Sequence, residues 1–135
     1  MRLGKLRKRF EQNFGTVPDP YYFHGDMEYI RAYYDFRRDA GMDGFLLDEI
    51  TWNDLDMNEV YKRLNPSLST SGEQYLYYML RSPAVTDSDY TDRKPLIELM
   101  ERAPDLRLKL QVIFSRLGCT RRADLSRAFH PSVHG

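Results

Sequence analysis

Apolar side chains recur at helical spacing in several segments of this 135-residue chain, and proline or glycine separates these segments. The clearest stripe recurs at i, i+4, i+7, i+8 and i+11 and consists of Leu106, Leu110, Ile113, Phe114 and Leu117. This spacing places the five side chains on one face of an α-helix. Pro104 suits the first position of that helix, and Gly118 suits its end. The pattern predicts an all-α fold, a multi-helix array with orthogonal or bundle-like packing.

Six further helices are predicted from the same periodicity and from end signals. They cover residues 2–14, 26–40, 57–64, 70–81, a segment around Pro95 that begins at Thr86, Ser88 or Lys94, and 120–129. Asp26 is the predicted N-cap of the second, and Thr70 with Glu73 forms a predicted capping box at the fourth. Residues 45–55 show no clean period, so a short extended segment near 45–56 is left open.

Each predicted helix has an expected inward face. In the first three, the inward side chains are Leu3, Leu6, Phe10, Phe14, Tyr29, Ile30, Tyr33, Tyr34, Val60, Tyr61 and Leu64. The helix over 70–81 is expected to be central and largely buried, because little polar surface separates Tyr75, Leu76, Tyr78, Met79 and Leu80. The side chains expected to pack after Pro95 are Leu96, Ile97, Leu99 and Met100. Trp52 is expected to anchor residues 45–55.

Charge is unevenly distributed, although the formal net charge is zero. Residues 1–18 carry five basic side chains and a single acid, residues 19–59 carry eleven acids and three arginines, and residues 106–135 carry six basic side chains and a single acid. The basic ends either pair with the acidic middle or meet an anionic partner such as DNA. The candidate DNA contacts are Lys5, Arg7, Lys8, Arg9, Arg121 and Arg122.

No pattern in the chain predicts catalysis, a cofactor or a metal ion. Neither a P-loop nor a dinucleotide-binding glycine motif occurs. The histidines, His24, His130 and His134, are scattered, and the single cysteine excludes an internal disulfide and a cysteine-based zinc site. Arginines 121 and 122 could lower the pKa of Cys119, but an ordinary role at a helix junction is the alternative. The acidic cluster is interpreted as helix caps, with acid/base catalysis or a bound cation as the alternative: Asp48, Glu49, Asp54, Asp56 and Glu59.

The expected location is the cytoplasm. Cysteine is nearly absent, the basic N-terminus lacks the apolar stretch of a signal peptide, and no apolar run approaches the roughly 20 residues that span a bilayer.

Six short motifs follow one another between residues 47 and 127. The first two are Leu47-Asp48-x-x-Thr51 and the run Asp54-Leu55-Asp56-Met57 after Asn53. The later positions are Ser69-Thr70-Ser71-Gly72 with Leu76, Leu80 and Pro83, then Arg93, then Leu106, Arg107 and Leu110, and finally Asp124-Leu125-Ser126-Arg127. This series resembles the segment that opens the core domain of the MutS family of DNA mismatch-repair ATPases, in particular a bacterial subgroup of shorter MutS-related proteins.

The resemblance implies a structural role rather than a catalytic one. In that family this region forms helical levers, which join the DNA-embracing clamp to a C-terminal ATPase. By this resemblance residues 47–135 are a core-like helical region and residues 1–46 an N-terminal helical extension, in a fragment of a longer protein. ATP and Mg²⁺ would bind the missing ATPase domain, and the partners would be the rest of that chain and, through it, DNA. No phenylalanine here is followed two residues on by glutamate, so the family's mismatch-reading motif is absent. Recombination, branched DNA or another substrate is then the alternative to mismatches.

Two other functions stay open at this point. The chain could be an unrelated helical module for protein–protein interaction, or a small DNA-binding helical domain that uses its basic ends. A truncated lever would also expose apolar surface that further helices normally cover, which predicts a homodimer at high concentration.

Overall fold

The computed structural model describes residues 2–17, 27–83 and 86–119. These residues form α-helices and no strand, which confirms the all-α class. The helices are α1 (Leu3–Asn13), α2 (Met27–Asp39), α3 (Glu49–Asp54), α4 (Met57–Leu64), α5 (Thr70–Arg81), α6 (Asp87–Arg102) and α7 (Pro104–Leu117). The predicted cap Asp26 and the predicted helix 120–129 lie outside the described residues, as do the candidate residues Arg121, Arg122, Asp124, Leu125 and Arg127.

The helices belong to two compact units. The α1 unit contains residues 2–17 and 86–117, with α1, α6 and α7; the α5 unit contains residues 27–83 and 118–119, with α2 to α5. Helices α2 and α5 make the largest interface of the α5 unit, and α7 packs against both α1 and α6 in the other. The family resemblance implies a boundary between residues 46 and 47, and this position falls inside the α5 unit. The assignment of residues 47–135 to a MutS-like core stays a prediction.

The start of α5 differs by one residue from the predicted capping box. Ser69 is the N-cap: its backbone is extended, and its hydroxyl oxygen accepts the Gly72 N–H at 3.2 Å. Thr70 is therefore the first helical residue, and the Glu73 carboxylate accepts a hydrogen bond from the Asn65 side chain at 3.3 Å. Gly72 is tightly enclosed, because a Cβ there would lie 3.2 Å from Ser69 Oγ and 3.3 Å from Ser67 Cβ.

Residues 45–56 contain the helix α3 and no strand; residues 45–48, which precede this helix, are not helical, and Asp48 has an extended backbone. Asp48 caps this helix by accepting the Thr51 N–H at 2.7 Å. A helix of six residues is too short for a 3.6-residue period to be visible in the sequence. Asp56, with φ at 51° and ψ at 42°, adopts the left-handed conformation and turns the chain directly into α4.

Pro95 lies inside α6, which begins at Asp87 rather than at Lys94. The side chains expected to pack beyond this proline do not form a core: Leu96, Ile97 and Leu99 are exposed, and Met100 is half-buried. Helix α7 begins at Pro104, as predicted.

The core of the α5 unit is aromatic. Its buried members are Ile30, Tyr34, Trp52, Tyr61 and Tyr77. Tyr77 is at the centre: its ring centroid lies 4.8 Å from that of Trp52, 5.8 Å from Tyr61 and 5.9 Å from Tyr34. The anchoring role predicted for Trp52 is confirmed, since it is 1% exposed. In α4 only Tyr61 is buried, and the expected inward residues Val60 and Leu64 are exposed; Tyr29 of α2 is exposed as well.

Helix α5 buries a polar face most deeply, while the predicted apolar residues Leu76, Tyr78 and Leu80 pack against the aromatic core partly buried. The buried side chains are Thr70, Glu73, Gln74, Tyr77 and Arg81. Of the residues expected inside, Tyr75 is exposed and the others are half-buried. Hydrogen bonds compensate the buried polar groups; for example, Gln74 Nε2 donates to the Tyr29 carbonyl of α2 at 2.7 Å.

In the α1 unit, the predicted face of α7 is also inverted. Leu108 and Val112 are the buried residues of this helix, and Phe10 is buried on α1. The stripe predicted as inward lies on the opposite side of α7 and is exposed, apart from the half-buried Leu110. On α1, Leu3 and Phe14 also remain about half-exposed, and Leu6 is half-buried.

Candidate functional site

The most highly connected side chain of the α5 unit is Arg81, the last residue of α5, with no exposed surface. Its guanidinium donates to the Tyr77 hydroxyl from Nη2 at 2.7 Å and from Nε at 3.1 Å. Nη1 donates to the carbonyls of Leu47 at 3.0 Å and Asp48 at 3.3 Å, and Nη2 also donates to Glu49 Oε1 at 3.0 Å. Every guanidinium nitrogen therefore has an acceptor, as a buried arginine requires.

Aromatic rings enclose the same guanidinium. Its central carbon lies 4.1 Å from the ring centroid of Trp52, 4.6 Å from Tyr34 and 5.3 Å from Tyr77. A desolvated cation against ring faces gains cation–π stabilisation, and the planar group also stacks. Lysine could supply the charge there but neither the planarity nor the number of donors.

Arg81 ties residues 47–49 to the end of α5 from both its main chain and its side chain. The Leu47 N–H donates to the Arg81 carbonyl at 2.8 Å, while the guanidinium donates to the Leu47 carbonyl. Glu49 then bridges Arg81 to Arg31 of α2. Burial opposes ionisation of Glu49, but the hydrogen bonds from the two arginines outweigh it and hold its pKa below the ordinary value. We call Arg81, Tyr77, Leu47, Asp48 and Glu49 the arginine clamp.

The clamp joins two of the motif segments that the sequence singled out. Leu47, Asp48 and Thr51 form the entry to α3, and the clamp holds this entry against the end of α5. Helix α5 carries Gly72, Leu76 and Leu80, and Pro83 follows it, whereas Leu55 is 58% exposed after α3. The remaining described motif residues belong to the α1 unit, where Arg93 lies on α6 and Leu106, Arg107 and Leu110 lie on α7.

A second polar cluster joins α2 to α5 through Asp43. Arg37 Nη2 donates to Asp43 Oδ1 at 2.7 Å, and the Tyr78 hydroxyl donates to the same oxygen at 2.8 Å. The hydrogen bonds from Arg37, helped by Tyr78, hold the pKa of Asp43 below its ordinary value despite partial burial. Both clusters orient α2 and α5 relative to each other through charged groups.

The thiol of Cys119 has a raised pKa, contrary to the suggestion that nearby arginines lower it. Partial burial and the adjacent Glu73 carboxylate raise the pKa of Cys119 to about 11. Burial also raises the pKa of Glu73, while hydrogen bonds from Asn65 and Cys119 act in the opposite direction. A thiol with this pKa is protonated near neutral pH and is a poor nucleophile, which favours the junction role.

In the parts of the chain that the structure describes, no group of three or more His, Cys, Asp or Glu side chains is placed to hold a metal ion. Asp48 caps α3, and Glu49 pairs with two arginines. All three histidines lie outside these parts.

Three of the four candidate DNA contacts on α1 are exposed: Lys5, Lys8 and Arg9. At about 100° per residue, Lys5 and Lys8 lie opposite the buried Phe10, and Arg9 lies to one side of it. Arg7 is half-buried and falls nearer the Phe10 side. DNA contact by these residues stays a prediction.

Sequence reasoning missed Arg81 and Tyr77 as the centre of the site. A signal was present, because Thr70, Gln74, Tyr77 and Arg81 recur at i, i+4, i+7 and i+11 and define one helical face. The apolar residues beside them suggested a different inward face, since polar residues are usually the exposed ones.

None of the helices in the described parts is long and apolar enough to cross a membrane. Comparison of the chain with protein-family models, with curated proteins and with solved structures found no match in any of the three.

Proposed function

We propose that this chain is a lever segment of a MutS-like DNA-handling ATPase, and that it has no catalytic activity of its own. The observation that carries the proposal is the arginine clamp, because it joins the motif at Leu47–Thr51 to the motif-bearing helix α5. The same two segments carry the family resemblance in the sequence. The all-helical architecture is compatible with such a role.

A lever transmits displacement only if its parts move together. In the α5 unit, α2 and α5 are joined by the aromatic core, by Gln74 and by Asp43, and the clamp adds residues 47–49. Sliding any one of these segments would break several directional bonds at once, so the unit has few low-energy internal motions. Stiffness of this kind suits a body that a nucleotide-driven shift moves as a whole.

The proposal extends to partners and location. The rest of a longer chain would supply a DNA-embracing domain and an ATPase domain. ATP and Mg²⁺ would bind that ATPase domain, and DNA would be contacted through the same protein. The pathway would be DNA mismatch repair or recombination, in the cytoplasm. A homodimer through exposed apolar surface stays a prediction.

The first test is to read the coding sequence past codon 135. The proposal expects a Gly-x-x-x-x-Gly-Lys-Ser/Thr motif further on. A stop codon within a few codons would overturn it.

The second test uses the longer protein and its DNA-stimulated ATP turnover. Arg81→Lys should reduce the stimulation by DNA while basal turnover is kept, because it loosens the lever without touching the ATPase site. Arg63→Lys, an exposed arginine on α4, is the matched control. Unchanged stimulation in Arg81→Lys would refute the lever role.

A second candidate function, a small DNA-binding domain, is favoured by the exposed basic side of α1. It predicts binding of the chain to duplex DNA that weakens steeply with salt, because released counterions drive such binding. The triple replacement of Lys5, Lys8 and Arg9 by glutamine should abolish the binding. A flat salt response, or no binding at low salt, would remove this candidate.

A further inference from the structure

The exposed apolar side of α7 is a coiled-coil type stripe. Leu106, Leu110, Ile113 and Leu117 follow one another at alternating spacings of four and three residues, as in the seam of a coiled coil. Leu106, Ile113, Phe114 and Leu117 are between 39% and 62% exposed. We call these four residues, together with the half-buried Leu110, the α7 face.

Helix α7 is held from its other side. Leu108 and Val112 are 2% and 8% exposed and lie roughly 180° round the helix from the α7 face. Arg107 adds an anchor: its guanidinium stacks 3.3 Å from the centroid of the Phe14 ring and donates to the Met100 carbonyl at 2.8 Å. The α7 face is therefore presented by a fixed helix.

Exposed basic residues, Lys109 and Arg116, lie along one edge of the α7 face. The half-buried Arg107 lies along the other edge, with its guanidinium held by Phe14 and Met100. Asp105, the acidic residue of α7, is in the first turn and lies further from the α7 face around the helix than Lys109 does. In coiled coils the residues at these edge positions select the partner by charge.

We propose that the α7 face docks an amphipathic helix of a separate protein whose apolar stripe is flanked by aspartate and glutamate. This inference does not depend on the proposed lever function. Seated along α7, which is about 21 Å long, the partner helix would extend over about four turns. Its apolar side chains would interdigitate with the α7 face, and its acids would face Lys109 and Arg116.

A second copy of α7 is a poor occupant on the same grounds. In an antiparallel pair, the edge with Lys109 and Arg116 faces the same edge of the other copy. In a parallel pair, this edge faces the edge that carries Arg107. Positive charges meet in either orientation, which disfavours the homodimer at this surface.

The test uses the whole chain and two labelled synthetic peptides that share one apolar heptad stripe. One peptide has glutamate and the other lysine at the edge positions, and binding is followed by fluorescence anisotropy. The glutamate peptide should bind, with the lysine peptide at least about tenfold weaker. Ile113→Asp should abolish binding, while Leu55→Asp, at an exposed leucine outside α7, should keep it.

Charge reversal makes the test specific. The double variant Lys109→Glu with Arg116→Glu replaces exposed side chains only, so it should fold, as circular dichroism would verify. Its preference should invert toward the lysine peptide. Equal binding of the two peptides, no binding, or an unchanged preference would overturn the proposal.

Two further measurements identify the competing occupants. A dimer in sedimentation velocity that Ile113→Asp dissociates would assign the surface to a second copy instead. Binding to phosphatidylserine vesicles that Ile113→Asp removes would assign it to an anionic membrane. Either result would overturn docking of an acidic helix.

Discussion

Replacing Arg81 by methionine tests whether the arginine clamp holds the α5 unit together. Methionine has a similar length and is apolar, but it donates no hydrogen bond. The change leaves the Tyr77 hydroxyl and the carbonyls of Leu47 and Asp48 without these donors. At about 1 kcal/mol for each of these three acceptors, the cost is about 3 kcal/mol.

The ion pair adds little to this figure. Breaking a fully buried pair costs about 3–5 kcal/mol because it strands a charge. Glu49, however, is 48% exposed and keeps its bond to Arg31, so its charge is not stranded. We therefore expect Arg81→Met to lower the free energy of unfolding by about 3 kcal/mol, and Arg81→Lys to lower it by less, since the charge is kept.

Urea unfolding followed by tryptophan fluorescence measures this loss. Trp52 is the single tryptophan of the chain, and it is part of the aromatic core beside Arg81. A small domain with a stability of about 5–15 kcal/mol stays folded enough after such a loss to be measured. Arg63→Met, at an exposed arginine, is the control and should change stability by less than about 0.5 kcal/mol.

A loss of less than about 1 kcal/mol in Arg81→Met, at the low end for a single mutation, would contradict a stabilising role of the arginine clamp. So would a loss equal to that of Arg63→Met. Either result would mean that the aromatic core holds residues 47–49 without the clamp.

Three further predictions concern the α5 unit. Ser69→Ala should cost about 1 kcal/mol in the same urea assay, since the Gly72 N–H loses its cap acceptor; an unchanged midpoint would contradict the cap. Because the pKa of Asp43 is lowered, its contribution to stability is complete above the unfolded value near 3.8 and is lost as pH falls through the folded pKa; Asp43→Asn should flatten this acid limb, and an unaltered limb would count against it. Cys119 should react slowly with iodoacetamide at pH 8, and Glu73→Gln should accelerate the reaction by removing the neighbouring charge; a fast wild-type reaction would exclude the raised pKa.

The ends of a helix could be predicted from the sequence where the residues at those ends carry the signal themselves. Helix α4 has the predicted bounds, and α7 starts at Pro104 as predicted, because proline suits the first turn of a helix whatever surrounds it. At α5 the cap moved from Thr70 to Ser69, since two adjacent hydroxyl residues offer the same chemistry and only the backbone angles distinguish them.

The inward faces of helices were harder to predict, because burial depends on neighbours. Both sides of α7 carry apolar residues, and periodicity alone does not show which side a neighbouring helix covers. The buried side is the one with Leu108 and Val112, not the longer stripe. On α5 the rule that polar residues face water fails, because Gln74 and Arg81 find acceptors in segments far away in the sequence. The spacing of Thr70, Gln74, Tyr77 and Arg81 marks one helical face, but the distant acceptors that allow this face to be buried cannot be read from the sequence of α5.

The buried polar face of α5 also constrains how this chain can vary. An apolar core accepts substitutions one at a time, since contacts between hydrocarbons have no preferred angle. Gln74 and Arg81 instead have partners at fixed positions, so a single replacement removes directional hydrogen bonds to the Tyr29 carbonyl or to the Leu47 carbonyl. In a library of all single substitutions along α5, the exposed Tyr75 should accept many residues and Arg81 almost none. Restoring stability after a replacement of Arg81 would require a second change among its partners. These positions should therefore change together in related sequences.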